Sequence, residues 1–344
     1  MVADRYFPAA TVRPSTETTT AVDTETAFRP VRAHPKHRVP NLRFHRFVSF
    51  AAVSAWVLVA VGGVVRVTAS GLGCPHWPLC TARALPLDQK GSVIEYSHRA
   101  VVALVSVLVV AVAGWAWRNY RSRPDILRPA LLAVLLLPFQ ALLGAGAVWL
   151  ELPAWVVAFH FVVGLLFMAT IVYAAAAWRK GERTATHGFV RLAWASVLAG
   201  LALVSVGAAV VATEADAACG RQWPACNGGF AAGGGPAELQ VAHRMLAYAV
   251  GALAVALFIA AVRGKGPRLA GSLPLLAVLA QTGLGIAIVV VGGEGRVHEI
   301  LAGFHVAGAG AVWAALVALA VRSGPPGMRE GEPLATPVPA GASS

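Results

Sequence analysis

Residues 47–65, 129–150, 192–213 and 269–293 contain no Asp, Glu, Lys or Arg. Runs of that length decide the fold class, because crossing a hydrocarbon core about 30 Å thick takes roughly 20 apolar residues. Eight segments qualify, near 47–67, 93–116, 129–150, 154–177, 190–212, 239–262, 269–291 and 300–321. Backbone polar groups in lipid must be satisfied internally, so a span is a helix or part of a closed barrel. Barrel strands read as short alternating segments, and these runs are long and uninterrupted. With 57% hydrophobic and 13% charged residues over 344 positions, the chain is expected to be an all-α membrane protein of eight transmembrane helices.

The net charge of +12 raises nucleic acid as a partner, but its placement argues for the bilayer. Basic residues gather in alternate loops: Arg118, Arg121, Arg123 and Arg128; Arg179, Lys180, Arg183 and Arg191; Arg263, Lys265 and Arg268. Together with the two ends of the chain, these hold 21 of the 28 Lys and Arg residues on one side. That is the positive-inside distribution of a plasma-membrane protein. It places both termini in the cytoplasm and the cysteine-bearing loops outside. The polar leader before the first apolar run is unlike the short charged start of a cleavable signal peptide, and none is expected.

The spans are duplicated. His98 and His160 are 62 residues apart, as are His243 and His305, and each of the first pair precedes its counterpart by 145. Cys74 and Cys219 keep the same interval, and so do Val61-Gly62 and Val206-Gly207, Thr68 and Thr213, His98-Arg99 and His243-Arg244, and Phe159-His160 and Phe304-His305. Trp77-Pro78-Leu79-Cys80 reappears as Trp223-Pro224-Ala225-Cys226 after a one-residue insertion. Gln140 and Gly144 correspond with a shift to Gln281 and Gly285. An even number of helices per unit gives both units one orientation, a parallel repeat about an axis along the membrane normal. The expected organisation is a disordered cytoplasmic tail (1–46), a four-helix half (47–178), a cytoplasmic linker (179–189), a second, pseudo-symmetric four-helix half (190–322) and a disordered cytoplasmic tail (323–344).

A histidine within an apolar span is expensive and reads as functional by default. His98 and His160 fall about five and six residues below the outer ends of their segments, a depth of roughly 8–10 Å at about 1.5 Å per residue. His243 and His305 repeat that placement. Paired imidazoles at one depth can ligate a metal axially from opposite faces, as haem is held between bundle helices. The bland alternative is interhelical hydrogen bonding. Arg99 and Arg244 follow the first histidine of each pair; a guanidinium there matches a haem propionate or snorkels to headgroups.

The halves differ in charge. Glu95 lies one helical turn from His98 on the same face, and its counterpart is Gln240; Arg66 has Val211 as its counterpart. A carboxylate beside a metal-bound substrate can relay protons or stabilise developing positive charge. The reactive site is therefore expected in the first half and a non-reacting cofactor in the second, unless Glu95 is an interfacial charge in water. The pairs Cys74/Cys80 and Cys219/Cys226 on the oxidising side read as disulfide clips or, in the first loop, as a redox-active pair. A zinc site using His76 is the weaker reading, since the second loop lacks a histidine. Gly144, Gly146, Gly283 and Gly285 are read as packing residues. Gln140 and Gln281 are read as bonding across helices, with a substrate role as the weaker reading. His34, His37, His45 and His187 are expected in or beside cytoplasmic segments without a cofactor role; His298, just before the last segment, is left open.

The run Ser70-Gly-Leu-Gly-Cys-Pro-His-Trp-Pro-Leu-Cys80, followed by Glu95-Tyr-Ser-His-Arg99 and Phe159-His160, resembles the bacterial haem A synthase family over residues 47–322. The resemblance implies an oxidoreductase that converts a ring methyl of haem O to a formyl group, making haem A for cytochrome c oxidase. It implies that His98 and His160 hold the substrate haem, that Glu95 is catalytic, that His243 and His305 hold a haem B cofactor, and that Cys74 and Cys80 form the family's outer-loop pair. His76 departs from the acidic residue often found there, and the second cysteine pair suggests a subgroup with both outer loops clipped. Partners expected on this basis are haem O, the lipid bilayer, a haem O synthase and further copies of the chain. The residues alone leave two rivals: a di-haem quinone-linked electron-transfer cytochrome, and a membrane thiol-disulfide oxidoreductase. Pure electron transfer does not need the Glu95/Gln240 difference, and thiol chemistry leaves four repeated histidines unexplained.

Overall fold

A computed structural model of the chain describes residues 41–80, 89–178, 185–226, 229–230, 234–292 and 295–326. Most of both expected tails, and the first six residues of the expected linker, lie outside these residues. Among them are eight helices long and apolar enough to cross a membrane: α1 (Leu42–Val67), α2 (Lys90–Asn119), α3 (Pro124–Trp149), α4 (Ala154–Ala177), α5 (His187–Ala212), α6 (Pro236–Val262), α7 (Arg268–Val291) and α8 (Arg296–Ser323). At about 1.5 Å per residue, even the 24-residue α4 and α7 exceed the hydrocarbon thickness.

The helices overrun the apolar segments because polar termini continue them into the interface. Asn41 caps α1, its side chain accepting from the N–H groups of Arg43 and Phe44, so the helix starts ahead of the first apolar run. Thr186 caps α5 in the same way. Proline at the first turn starts α3 and α6, where its missing N–H costs no helical bond. His45 therefore lies in α1, where it stacks on Trp178 with ring centroids 4.2 Å apart. His187 opens α5 and His298 sits in the first turn of α8.

The packing pairs follow the repeat. In the first half α1 packs on α2, α2 on α3, α3 on α4 and α4 on α1; in the second, α5 on α6, α6 on α7, α7 on α8 and α8 on α5. Each set is a four-sided bundle whose closely packed pairs do not include α2 with α4 or α6 with α8. These diagonals face one another across the bundle interior. The halves join through α1, α4, α5 and α8, with α1 on α8, α4 on α5 and α4 on α8. Small residues let that seam close: a methyl on Gly63 would lie 2.6 Å from Val306, and one on Gly310 3.2 Å from Trp56. Trp313 donates across the seam to the Leu165 carbonyl at 3.0 Å, and Trp56 to the Ala307 carbonyl at 2.8 Å. Leu135, Leu198 and Leu269 are exposed on the outside of the bundle, the surface that lipid covers.

Candidate functional site

Each histidine of the repeat sits on an even-numbered helix and rests on a glycine of the helix before it. A methyl added to Gly62 of α1 would lie 3.2 Å from the His98 ring on α2; from Gly144 of α3 to His160 on α4 the distance is 3.4 Å. The second half repeats the contact, with Gly207 at 2.9 Å from His243 and Gly285 at 3.2 Å from His305. A side chain at Gly62, Gly207 or Gly285 would press on an imidazole, and one at Gly144 would just touch it. Gly146 and Gly283, read from sequence as packing residues, have nothing within 4 Å of such a methyl. The useful signal was the recurrence of Gly62 and Gly207 in the repeat, which marks them as ring cradles.

His98, His243 and His305 lie further along their helices than the apolar segments suggested, because α2, α6 and α8 start earlier. His98 is the ninth residue of α2, His160 the seventh of α4, His243 the eighth of α6 and His305 the tenth of α8. His98 and His160 each have a buried Nδ1 without a hydrogen-bond partner among the described residues. A polar atom so placed normally finds a partner. The His243 and His305 rings have centroids 6.5 Å apart with an interplanar angle of 70°. Two imidazoles ligating one metal from opposite sides at about 2 Å each bring their ring centres to a comparable separation. Paired imidazoles from diagonal helices, each ring resting on a glycine, fit a flat cofactor such as haem. Gln140 donates to the His160 carbonyl at 3.1 Å and Gln281 to the His305 carbonyl at 2.8 Å. The interhelical role expected for both glutamines is what the structure shows.

Above these rings lie the cysteine loops. Cys74–Cys80 and Cys219–Cys226 are both disulfides, and all four cysteines are buried. Joined sulfurs are not the thiolates that a zinc site takes. Both loops contain a cis Trp-Pro bond, Trp77-Pro78 and Trp223-Pro224. Both follow a helix whose Thr C-cap is succeeded by a non-glycine residue in the left-handed region, Ala69 at φ 50° and Glu214 at φ 56°.

The fastening of the loops differs. In the first half, Ser92 Oγ donates to the Gly73 carbonyl, and the Glu95 carboxylate accepts the Cys74 N–H at 2.7 Å while pairing with Arg99. Glu95 is only 5% exposed, so it is not an interfacial charge in water. Arg99 also donates to the carbonyls of His76, Pro78 and Leu79. In the second half, the Gln240 amide donates to the Asp216 carbonyl at 3.0 Å. Arg244 donates through one terminal nitrogen to the carbonyls of Pro224 and Ala225. Its other terminal nitrogen is buried without a partner.

Two sequence-selected residues bind elsewhere. Arg66 donates to the Val211 carbonyl at 2.9 Å and lies 3.8 Å from Glu214. His298 lies 3.6 Å from the Asp216 carboxylate, beside the second loop. Neither that pairing nor the Glu95–Cys74 link could be read from spacing, since a loop has no periodicity to reveal its path.

The family model described as COX15-CtaA, cytochrome oxidase assembly protein, matches residues 45–93 and 88–317. The chain is 31% identical over 261 residues to a haem A synthase of Halalkalibacterium halodurans, covering 72% of this chain and 87% of that protein. It is 33% identical over 244 residues to a haem A synthase of Shouchella clausii, covering 67% and 81%, and 30% identical over 254 residues to one of Bacillus licheniformis, covering 68% and 82%.

Proposed function

Since the chain belongs to the COX15-CtaA family of cytochrome oxidase assembly proteins, we propose that it is a haem A synthase, a membrane oxidoreductase that converts a ring methyl of haem O to a formyl group. The relatives it resembles over most of their length carry that name. The observation that carries the reading is the doubled pair of histidines on diagonal helices, each ring resting on a glycine, set beside a carboxylate in one half only.

On this reading the halves 47–178 and 190–322 are two bundles with different tenants. His98 and His160 hold haem O, and His243 and His305 hold haem B. Haem B bound there supplies a one-electron redox centre next to the reacting half. The Gly62 and Gly144 cradles set the imidazole planes and so the orientation of the substrate macrocycle. Glu95, fixed by the Cys74 N–H and the Arg99 guanidinium, presents a preorganised negative charge. That charge stabilises positive charge developing at the methyl carbon and accepts a proton that leaves it. The Cys74–Cys80 loop, latched to Glu95, closes the site from water. The cysteine loops are assigned to the outer face and the basic loops to the cytoplasm. A haem O synthase that delivers substrate within the bilayer, and further copies of the chain, are the partners this reading implies.

The test is mass spectrometry of haem extracted from protein purified from a host that makes haem O. Haem B accompanied by haem O, its hydroxylated form or haem A is the expected result. Haem B alone would replace this reading with an electron-transfer cytochrome, and absence of haem would remove the histidine assignment.

A further inference from the structure

The guanidinium nitrogens of Arg99 and Arg244 have different partners, and the difference traces to one position. Arg99 and Arg244 each follow a histidine of the repeat and reach under the cysteine loop of their half to donate to its carbonyls. In the first half, the second terminal nitrogen of Arg99 holds the Glu95 carboxylate, one turn earlier on α2. In the second half that place on α6 belongs to Gln240, whose amide turns to the Asp216 carbonyl. The equivalent nitrogen of Arg244 is left buried, with the whole residue 7% exposed, and no described residue accepts from it. A cationic donor taken out of water without an acceptor is costly. An anionic oxygen supplied from outside the chain resolves the cost, and the planar fork of arginine is matched by a carboxylate.

We infer that the residue at position 95 or 240 sets how long each half keeps its haem: Gln240 leaves Arg244 free to hold a carboxylate of the resident cofactor, whereas Glu95 occupies Arg99 and denies the substrate that anchor. This rests on the functional reading above and extends it. A cofactor has to stay and a substrate has to leave once converted. One protein carboxylate in place of an amide separates the two behaviours without altering either histidine pair.

The experiment measures transfer of haem from the purified holoprotein to excess apomyoglobin, followed optically. Gln240→Glu puts a competing carboxylate beside Arg244, and haem B should leave faster by on the order of 10- to 100-fold, the scale of one charge-assisted hydrogen bond. Glu95→Gln should slow the departure of haem O from the first half, a direction that a purely structural role for Glu95 does not produce. Wild-type protein reconstituted with the dimethyl ester of haem B, whose carboxylates are blocked, should lose it as fast as Gln240→Glu loses native haem B. In Gln240→Glu itself the ester should make no further difference. This arm needs no altered chain to fold. Ester and native haem B leaving the wild type at the same rate would overturn the inference, and acceleration by added formate would then assign Arg244 to a free anion. A protein that binds no haem B would instead overturn the functional reading, so the two failures are distinct.

Discussion

The loop above His98 is tied down by a carboxylate and the loop above His243 by an amide, yet the scaffold beneath them is the same. Glycine under each ring, glutamine to a histidine carbonyl, arginine to loop carbonyls and a disulfide in each loop recur in both halves. On the proposed reading the shared features build a place for a flat ligand, and the unshared Glu95 marks the half that does chemistry.

The comparison breaks most completely at the histidines. His243→Ala or His305→Ala is expected to remove the resident haem B spectrum and abolish conversion, whereas His98→Ala should abolish conversion and leave haem B in place; pyridine haemochrome content with product analysis separates the two. Glu95→Gln makes the halves alike. Conversion should fall by roughly 100-fold or more, the usual scale of a lost acid–base group, with haem B content unchanged; loss of all haem in that variant would make Glu95 a structural residue only.

Filling a cradle tests the glycines one half at a time. Gly207→Val should lower haem B occupancy and Gly62→Val haem O occupancy, each through an overpacking cost of about 1–3 kcal/mol, read by haem content in protein that still runs as a folded monodisperse species. The cysteines sharpen the comparison further. Removing either pair by Cys→Ser should cost about 2–3 kcal/mol of loop-closure stabilisation, visible as a lower thermal midpoint. Equal effects on conversion from both pairs would mark both as clips, and a larger loss from Cys74/Cys80 than from Cys219/Cys226 would mark the first as the one that serves Glu95. The smallest expected change is Ala69→Gly, which relieves a left-handed backbone cost of about 1 kcal/mol and should raise the midpoint slightly without altering conversion.

Much of this was legible beforehand because lipid enforces simple rules. Charge-free runs located all eight spans, and α4 was bounded correctly, since Pro153 and the Arg179 run fence it on both sides. Ends such as Leu42 and His187 were missed because capped polar turns prolong a helix beyond its apolar stretch. The histidines were legible from their intervals alone. What lay beneath and above them was not. Glycine in a membrane helix usually signals helix packing, so nothing in the sequence separated Gly144 and Gly285, which support rings, from Gly146 and Gly283, which face open space. Glu95 was legible as an acid near His98, but its grip on the Cys74 N–H depends on a loop folding back over the first turns of α2.

Arg66 bonds the carbonyl of residue 211, its own image in the repeat. A side chain that touches its own image stands beside whatever axis relates the copies, where both claim one volume. A dimer of two identical chains would have to place the same residue there twice, and two guanidinium groups would meet with like charge. Joining the copies into one polypeptide lifts that constraint, so one arginine can stand opposite a valine there, with Glu214 beside it. The covalent connection between the halves thus permits an asymmetry at the middle of the protein that no assembly of equal subunits could contain.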